Sequence, residues 1–320
     1  MFRKHTRRAA KAAFAISFGV ALLIGLAACG GGGGSGTTAP TTTASASNVT
    51  INLGTKNFGE EYILGQLYGQ ALQAKGFHVV YKGSFGSSEL ANTAIQSGKM
   101  NFYPEYTGVV ALDLAKVKNA PKTANATYLA AKQYEDAHGM AVLNPTPFAD
   151  TDTFTVLTST AKKDGLKTMS DLSKLKSFTY AGYPECETRI TCILGMRQIY
   201  GLKNISFIPI GNISVYTLLD EGKALGGDGF STDPAQLQKN KYTALIDNKH
   251  IFGFQNVTPV LKKTLITGPN GALLASTANA VTAKLTLPAM QAMNKAYYVD
   301  KATPKQIAHG FLAANGLLTK

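Results

Sequence analysis

Four short segments combine charged, aromatic and turn-forming residues directly after predicted strands. They are residues 54–60, 103–108, 183–192 and 228–233. Lys56 and Arg189 in two of them could hold an anionic group, because a guanidinium is always charged and binds a carboxylate as a fork. The aromatic residues of the other two suit the wall of a binding site. Each segment could equally be a solvated turn or a point where an aromatic ring enters the core.

The elements that would position these segments alternate between strand and helix patterns. Strand-like runs at 49–53, 77–81 and 100–103 enclose helix-like runs at 60–75 and 88–97. This βαβαβ order predicts an α/β fold with a largely parallel sheet. The pattern continues through predicted elements at 153–158, 170–175, 178–181, 190–200, 205–210, 215–221 and 224–230. Strand ends in such sheets face the ligand crevice, so we expect the four segments to meet in a cleft.

Signatures of catalysis and of metal binding are missing from the sequence. It contains no GxSxG, HExxH, Walker A or CxxC motif, and its five histidines are scattered. We therefore predict no catalytic residues, no metal site and no cofactor. A hydrolase or transferase on a similar α/β scaffold is the alternative from the enzyme class, and it lacks a nucleophile paired with a histidine.

The net charge of +13 over 320 residues would ordinarily suggest nucleic acid or an anionic membrane as a partner. Five of the basic residues lie in the first 28 positions, which contain no acidic residue. A mild cluster of lysines, at 162, 163, 167, 174 and 176, is interpreted as a solvated face. The charge therefore does not predict nucleic-acid binding.

The N-terminus has the plan of an exported lipoprotein. A basic stretch precedes an uncharged run from Ala12 to Ala28, which is the pattern of a secretory signal peptide. The run ends in Leu-Ala-Ala-Cys-Gly, which has the shape of a bacterial lipobox, so we predict lipidation of Cys29. Residues 29–48 are rich in Gly, Ser and Thr and are expected to form a flexible tether. An uncleaved anchor helix is the alternative.

Two further cysteines agree with export. Cys186 and Cys192 are separated by five residues and form the remaining pair in a chain that is predicted to leave the cytoplasm. We expect a disulfide that rigidifies the short loop between them.

The motifs GTKNFGEEYILGQLYGQAL, YPEYTG, PECETR and DGFSTD, in this order, resemble one family. It comprises the substrate-binding proteins of osmoprotectant ABC transporters, which bind glycine betaine, choline and carnitine. The resemblance covers residues 49 to about 318. It implies an α/β, two-lobe type II periplasmic-binding-protein fold with the ligand cleft between the lobes. Residues 49–152 plus 256–320 would form one lobe and residues 153–255 the other.

The same resemblance implies a role without catalysis. A protein of this family captures a quaternary ammonium ligand and delivers it to permease subunits that are driven by a separate ATPase. It would act as a monomer outside the cytoplasm, anchored to the outer face of the bacterial cell membrane through its N-terminal lipid.

The family holds the ligand's ammonium group in an aromatic cage, because a trimethylammonium cation cannot donate N–H hydrogen bonds and is attracted to ring faces. Carried over by motif, the ligand-binding residues are Lys56, Tyr106, Phe154, Glu185, Arg189, Phe230, Phe254 and Gln255. Lys56 and Arg189 would meet the ligand carboxylate, Glu185 would neighbour the cage, and Phe254 or Gln255 would occupy its fourth position.

The sequence also departs from the family at the cage. Phe or Gln stands at three positions where relatives often have Tyr, and Val109 stands where Thr is frequent. A Phe keeps its aromatic face but loses the phenol hydroxyl. A receptor of the same fold for another cationic or polar solute, such as a polyamine, amino acid or aromatic compound, is therefore the alternative function.

Overall fold

The computed structural model describes residues 46–211 and 213–319. The predicted signal peptide (1–28), the lipidation site Cys29 and most of the tether lie outside the described residues. The last tether residues, Ala46–Asn48, form a 3₁₀ turn, and Ala46 is buried against the adjoining lobe. The body of the protein thus begins about three residues earlier than the sequence pattern indicated. Within the described residues, no helix is both long enough and apolar enough to span a membrane.

The described residues fold into two α/β lobes, each built around a five-stranded sheet. In the first lobe the strands are β1 (Thr50–Thr55), β2 (His78–Ser84), β3 (Phe102–Tyr106), β4 (Met140–Val142) and, from later in the chain, β10 (Val257–Lys262). In the second lobe they are β5 (Asp152–Leu157), β6 (Phe178–Gly182), β7 (Ile205–Pro209), β8 (Gly226–Phe230) and β9 (Tyr242–Leu245). The chain crosses between the sheets at residues 143–151 and 246–256.

Helices cover both sheets. The first lobe carries α1 (Gly59–Ala74), α2 (Ser88–Gln96), α3 (Thr107–Val109), α4 (Ala124–Ala137), α8 (Lys263–Thr267), α9 (Gly271–Lys284), α10 (Leu287–Tyr298) and α11 (Pro304–Ala314). The second carries α5 (Thr158–Lys163), α6 (Ile193–Gln198) and α7 (Val215–Asp220). A π-helical turn, Val110–Leu114, continues α3, and 3₁₀ turns occupy Met169–Lys174, Pro184–Glu187 and Pro234–Leu237.

Both sheets are largely parallel as predicted, but each contains one antiparallel strand. The first has the order β2-β1-β3-β10-β4, in which β10 runs antiparallel to both of its neighbours. The second has the order β7-β6-β8-β5-β9, in which β5 is antiparallel to β8 and β9. The antiparallel strands are those that follow the crossings between lobes. A strand that enters a sheet from the other lobe needs no right-handed βαβ connection, so its direction is not set by that rule.

The core of the first lobe forms around α1. Its apolar residues recur at helical spacing, and Ile63, Leu64, Leu67 and Tyr68 are fully buried between the sheet and the C-terminal helices. Burial of each such side chain contributes about 1.5–3 kcal/mol. The C-terminal helix α11 begins with the predicted capping box: Thr303 accepts from the backbone of Gln306, and Gln306 accepts from the backbone of Thr303. This capping prediction is confirmed.

Two predicted boundaries were wrong near the cleft. The segment 103–106 is not a loop, because β3 runs to Tyr106 and all five of its residues are buried. The predicted helix 190–200 is reduced to Ile193–Gln198. Its first residues instead belong to the loop that Cys186 and Cys192 close.

Candidate functional site

A cleft opens where segments of both lobes meet. Its first side comes from the ends of β1 and β3 and the start of α2, and its second from the ends of β6 and β8 and the start of β5. The lining residues are Lys56, Asn57, Phe58, Ser87, Ser88, Tyr106, Val109, Asp150, Asp152, Tyr183, Glu185, Cys186, Arg189, Thr191, Cys192, Asp228, Phe230 and Gln255. All four sequence segments contribute, so the structure brings them together as predicted.

Three aromatic rings form a triangle in the cleft. The ring centroid of Phe58 lies 6.2 Å from that of Phe230 and 6.4 Å from that of Tyr183, and the last two are 6.4 Å apart. Phe58 comes from the first lobe, and Tyr183 and Phe230 come from the second. A cation seated over such a triangle can lie within about 6 Å of all three centroids, which is the range of cation–π attraction.

Lys56 is buried beside this triangle and is already paired. Its ammonium group forms an ion pair with Glu105 and lies 3.7 Å from a carboxylate oxygen of Glu61. It also sits 3.9 Å from the centroid of the Tyr106 ring and 5.7 Å from that of Phe58. The cationic position over Tyr106 is therefore filled by a residue of the protein itself.

Hydrogen bonds hold Tyr106 in this arrangement. Its hydroxyl donates to Glu60 at 2.9 Å, and its backbone N–H donates to Glu105 at 2.7 Å. Glu60 also accepts from Asn294 of α10, whose amide donates in addition to the backbone carbonyl of Thr232 in the second lobe. Tyr106 therefore belongs to a network that includes both lobes.

Arg189 binds across the cleft to the first lobe. Its Nε and Nη2 donate to the two carboxylate oxygens of Glu89 at 3.0 and 3.1 Å. Burial alone would raise the pKa of Glu89, but the hydrogen bonds and charge of Arg189 outweigh it and lower the pKa to about 2. A second contact between lobes lies nearby, where Thr191 donates to Asp113 at 2.7 Å.

Carboxyl groups line the cleft next to the aromatic triangle. Burial raises the pKa of Asp152 to about 7, although the charge of Arg189 opposes the shift. Burial, followed by the charge of Asp152, raises the pKa of Asp228, whose Oδ1 accepts from Tyr180 at 3.0 Å. Burial, followed by the charge of Glu60, raises the pKa of Asp150. The cleft therefore has carboxyl groups whose ionisation would be favoured by a cation.

The loop that presents Arg189 and Glu185 is closed by a disulfide between Cys186 and Cys192, whose Cα atoms are 5.2 Å apart. Both sulfur atoms are buried near Asp228. This is the one cluster among the described residues with enough candidate ligands for a metal ion. Because metals bind thiolates and these sulfurs are bonded to each other, it does not fit a metal site.

Phe154 does not face the cleft, which corrects its predicted place in the cage. It is fully buried in the core of the second lobe, and its ring centroid lies 4.7 Å from that of Tyr180 and 5.9 Å from that of Phe178. Residue 152, two positions earlier on β5, faces the cleft instead. The depth of residue 154 in the strand was not visible in the sequence.

The fourth predicted cage position also differs. Phe254 does not line the cleft, and its backbone carbonyl accepts from Thr107. Gln255 does line it, but its amide binds backbone: Oε1 accepts from Val109 at 3.0 Å, and Nε2 donates to Phe252 at 3.2 Å. Gln255 therefore supports the wall at Val109 and offers no aromatic face.

Phe58 and Tyr183 line the cleft but were not among the predicted ligand-binding residues. Both lie in motifs that drew attention, Phe58 in GTKNFGE and Tyr183 directly before PECETR. An aromatic residue in the turn that follows a strand was the available signal. Asp152 was also missed, because a single acidic residue at the start of a strand has no distinguishing pattern.

The fold and cleft define a class of two-lobed solute-binding protein. The model of the substrate-binding domain of ABC-type glycine betaine transport systems matches residues 49–314. A glycine-betaine-binding protein of Pseudomonas aeruginosa is 29% identical over 283 residues, which cover 84% of this chain and 89% of the relative. The glycine betaine-binding protein YehZ of Escherichia coli is 24% identical over 291 residues, which cover 83% of this chain and 90% of the relative.

Solved structures agree on the fold. The crystal structure of a glycine betaine/carnitine/choline ABC transporter protein superposes with a TM-score of 0.66 at 23% identity, covering 84% of this chain and 99% of that one. The chain belongs to the family of substrate-binding domains of ABC-type glycine betaine transport systems. It has the two-lobe type II periplasmic-binding-protein fold expected from the sequence. Such proteins bind a small solute outside the cytoplasm and work with permease and ATPase subunits.

Proposed function

We propose that this protein captures a quaternary ammonium solute of the glycine betaine and choline type and delivers it to its permease. The observation that carries the proposal is the aromatic triangle of Phe58, Tyr183 and Phe230, with centroid separations of 6.2–6.4 Å. A trimethylammonium group spreads its charge over methyl groups, and ring faces meet that charge without hydrogen bonds. The two relatives are glycine betaine-binding proteins, which supports the same ligand class.

The ligand site we propose differs from the one carried over by motif. In this site the cation is held by the rings of Phe58, Tyr183 and Phe230. The ring of Tyr106 contacts the ammonium group of Lys56 instead. Glu185 and Arg189 remain at the second-lobe side of the cleft. The lobe limits 49–152 plus 256–320 and 153–255 form part of this proposal. The passage of the chain between the two sheets at residues 143–151 and 246–256 supports them.

Calorimetry with tetramethylammonium, choline and glycine betaine tests the ligand class. Replacing Phe58, Tyr183 or Phe230 by Leu keeps apolar volume but removes the ring, and each change should weaken choline binding by about 0.5–2 kcal/mol. Tyr81→Leu is a matched control, because Tyr81 is 38% exposed on β2 and lies outside the cleft. The proposal is wrong if none of the three compounds binds, or if the triangle variants bind choline like the control.

A receptor for polyamines is the second candidate, favoured by the carboxyl groups of Asp150, Asp152 and Asp228 in the cleft. Primary ammonium groups can donate hydrogen bonds to carboxylates, whereas a trimethylammonium group cannot. Putrescine measured in the same titrations separates the two. Binding of putrescine without binding of tetramethylammonium would favour the second candidate.

The sequence supports membrane anchoring as a further part of the proposal. Residues 1–28 would be removed on export, Cys29 would carry the lipid, and the monomeric body would follow the tether. Stable attachment requires more than one acyl chain, because a single chain binds only marginally. Mass spectrometry of the N-terminal peptide tests the lipid. Cys29→Ser should release the protein from the membrane fraction, and light scattering tests the monomer.

A further inference from the structure

Both basic residues that line the described cleft are already neutralised by the protein. Arg189 donates two hydrogen bonds to Glu89, at 3.0 and 3.1 Å. Lys56 is paired with Glu105, and Glu61 lies 3.7 Å from its ammonium group. Hydrogen bonds to a charged partner are about twice as strong as neutral ones, so a ligand carboxylate would have to displace a good partner to reach either cation.

Acidic residues, in contrast, stand beside the aromatic triangle. Asp228 and Phe230 are two residues apart on β8, so their side chains project from the same face of the strand. Asp152 is the register partner of Phe230 across the β5–β8 pair. Directly opposed side chains in an antiparallel pair are neighbours, so both carboxyl groups adjoin a ring of the triangle.

Resting on the quaternary ammonium function proposed above, we propose that the cleft selects a net cation over a zwitterion with the same head group. Choline and glycine betaine provide the comparison. Both have a trimethylammonium group on a two-carbon chain, but choline ends in a hydroxyl and glycine betaine in a carboxylate. Asp152 and Asp228 are the specificity-determining residues, because a bound cation favours their ionised forms, and ionised carboxylates repel the carboxylate of a zwitterion. Glu89 is a positioning residue that keeps Arg189 from the ligand.

Titration of Asp152 adds a second signature. Its pKa is raised to about 7 by burial, and the charged groups around it are Arg189, Lys56, Asp113, Asp150 and Asp228. A bound cation favours the ionised carboxylate and so displaces a proton. Choline affinity should therefore rise between about pH 6 and 8, by at most tenfold per pH unit for one released proton. Glycine betaine affinity should rise less, because its own carboxylate opposes the ionised aspartate.

Competitive calorimetry of the intact exported chain, with choline and glycine betaine, tests the selectivity. We expect choline to bind at least about tenfold more tightly, which corresponds to about 1.4 kcal/mol. Asp152→Asn should reduce the ratio of choline affinity to glycine betaine affinity several-fold, chiefly by weakening choline binding. Glu89→Gln should also reduce this ratio, because it should strengthen the binding of glycine betaine relative to that of choline. Glu187→Gln is the control, because it makes the same change at an exposed position of the disulfide loop.

The possible outcomes distinguish failure of the proposed selectivity from failure of the quaternary ammonium function. If glycine betaine binds as tightly as choline or more tightly, the selectivity is overturned while the quaternary ammonium function stands. If neither compound nor tetramethylammonium binds, the function itself fails. If both Asp152→Asn and Glu89→Gln keep the original ratio, these residues do not determine it. If Asp152→Asn does not fold, the affinity ratio measured on Glu89→Gln, a change in the other lobe, still tests the selectivity.

Discussion

The ammonium group of Lys56 lies 3.9 Å from the centroid of the Tyr106 ring and forms a buried ion pair with Glu105. The contact fills a cationic position of the cleft from within the protein. It also explains why Lys56, a residue of the expected carboxylate-binding group, is not free to meet a ligand. Removing one member of a buried pair leaves the other charge without a partner.

Lys56→Met should therefore lower the free energy of unfolding by about 3–5 kcal/mol. The double variant Lys56→Met/Glu105→Gln should recover part of the loss, because the Glu105 carboxylate is no longer left without its partner. Urea denaturation of the single and double variants measures both. Lys132→Met is the control: its pair with Asp136 is 39% and 35% exposed, and we expect a change of about 0.5 kcal/mol. A single variant as stable as the parent would contradict the buried pairing.

Phe154 and Phe230 should respond in opposite ways to the same substitution. Phe154→Ala leaves a cavity beneath Tyr180 and should cost about 3–5 kcal/mol of stability. The folded fraction should still bind choline within about twofold, because the removed ring lies away from the cleft. Phe230→Ala should weaken choline binding and cost less stability, since its ring is only half-buried. Denaturation and calorimetry on both variants check this. A selective loss of choline affinity in Phe154→Ala would mean that the Phe154 ring contacts the ligand after all.

Arg189 and Glu89 form an ion pair that joins the two lobes across the cleft. Glu89→Gln removes the charge from a partly exposed pair, which we expect to be worth about 1 kcal/mol or less. That change would shift the ratio of closed to open molecules up to about fivefold. Small-angle X-ray scattering without ligand should show a larger radius of gyration than for the parent. The exposed pair of Glu221 and Lys223 lies within one lobe, so Glu221→Gln should leave the radius unchanged.

Glu135 of α4 should make stability depend on pH. Burial, followed by the charge of Glu105, raises its pKa from 4.5 to about 8. No side chain of the described residues donates a hydrogen bond to either carboxyl oxygen. The folded state therefore keeps a proton that the unfolded state releases. Stability should fall as the pH rises between about 4.5 and 8, by up to about 1.4 kcal/mol per pH unit.

Glu135→Gln removes this titration, so the variant should gain stability relative to the parent as the pH rises. Chemical denaturation at pH 5, 6, 7 and 8 measures the difference. Asp300→Asn, which alters a carboxylate 52% exposed beside Lys295, should show a nearly constant difference. A constant difference for Glu135→Gln would mean that the group is already ionised in the folded state.

Much of the fold was readable from local pattern. The α1 helix, the strand that precedes it and the Thr303 capping box depend on spacing and cap chemistry within a few residues, and each lies within about two residues of its predicted position. The direction of β5 and β10 was not readable. It depends on where the chain returns after crossing between lobes, which is a long-range property.

The sequence by itself determined the family, the four cleft segments and the residue types that suit a cation. Short motifs carry that information because strand ends and helix starts are local features. Only the tertiary structure decided which aromatic rings face the cleft and which charges are free. Phe154 lies in the core because its ring packs against Phe178 and Tyr180, whereas Phe58 lies in the cleft because it stands in the turn between β1 and α1. Lys56 and Arg189 are neutralised because Glu105 and Glu89, distant in sequence, lie within ion-pair distance in the fold.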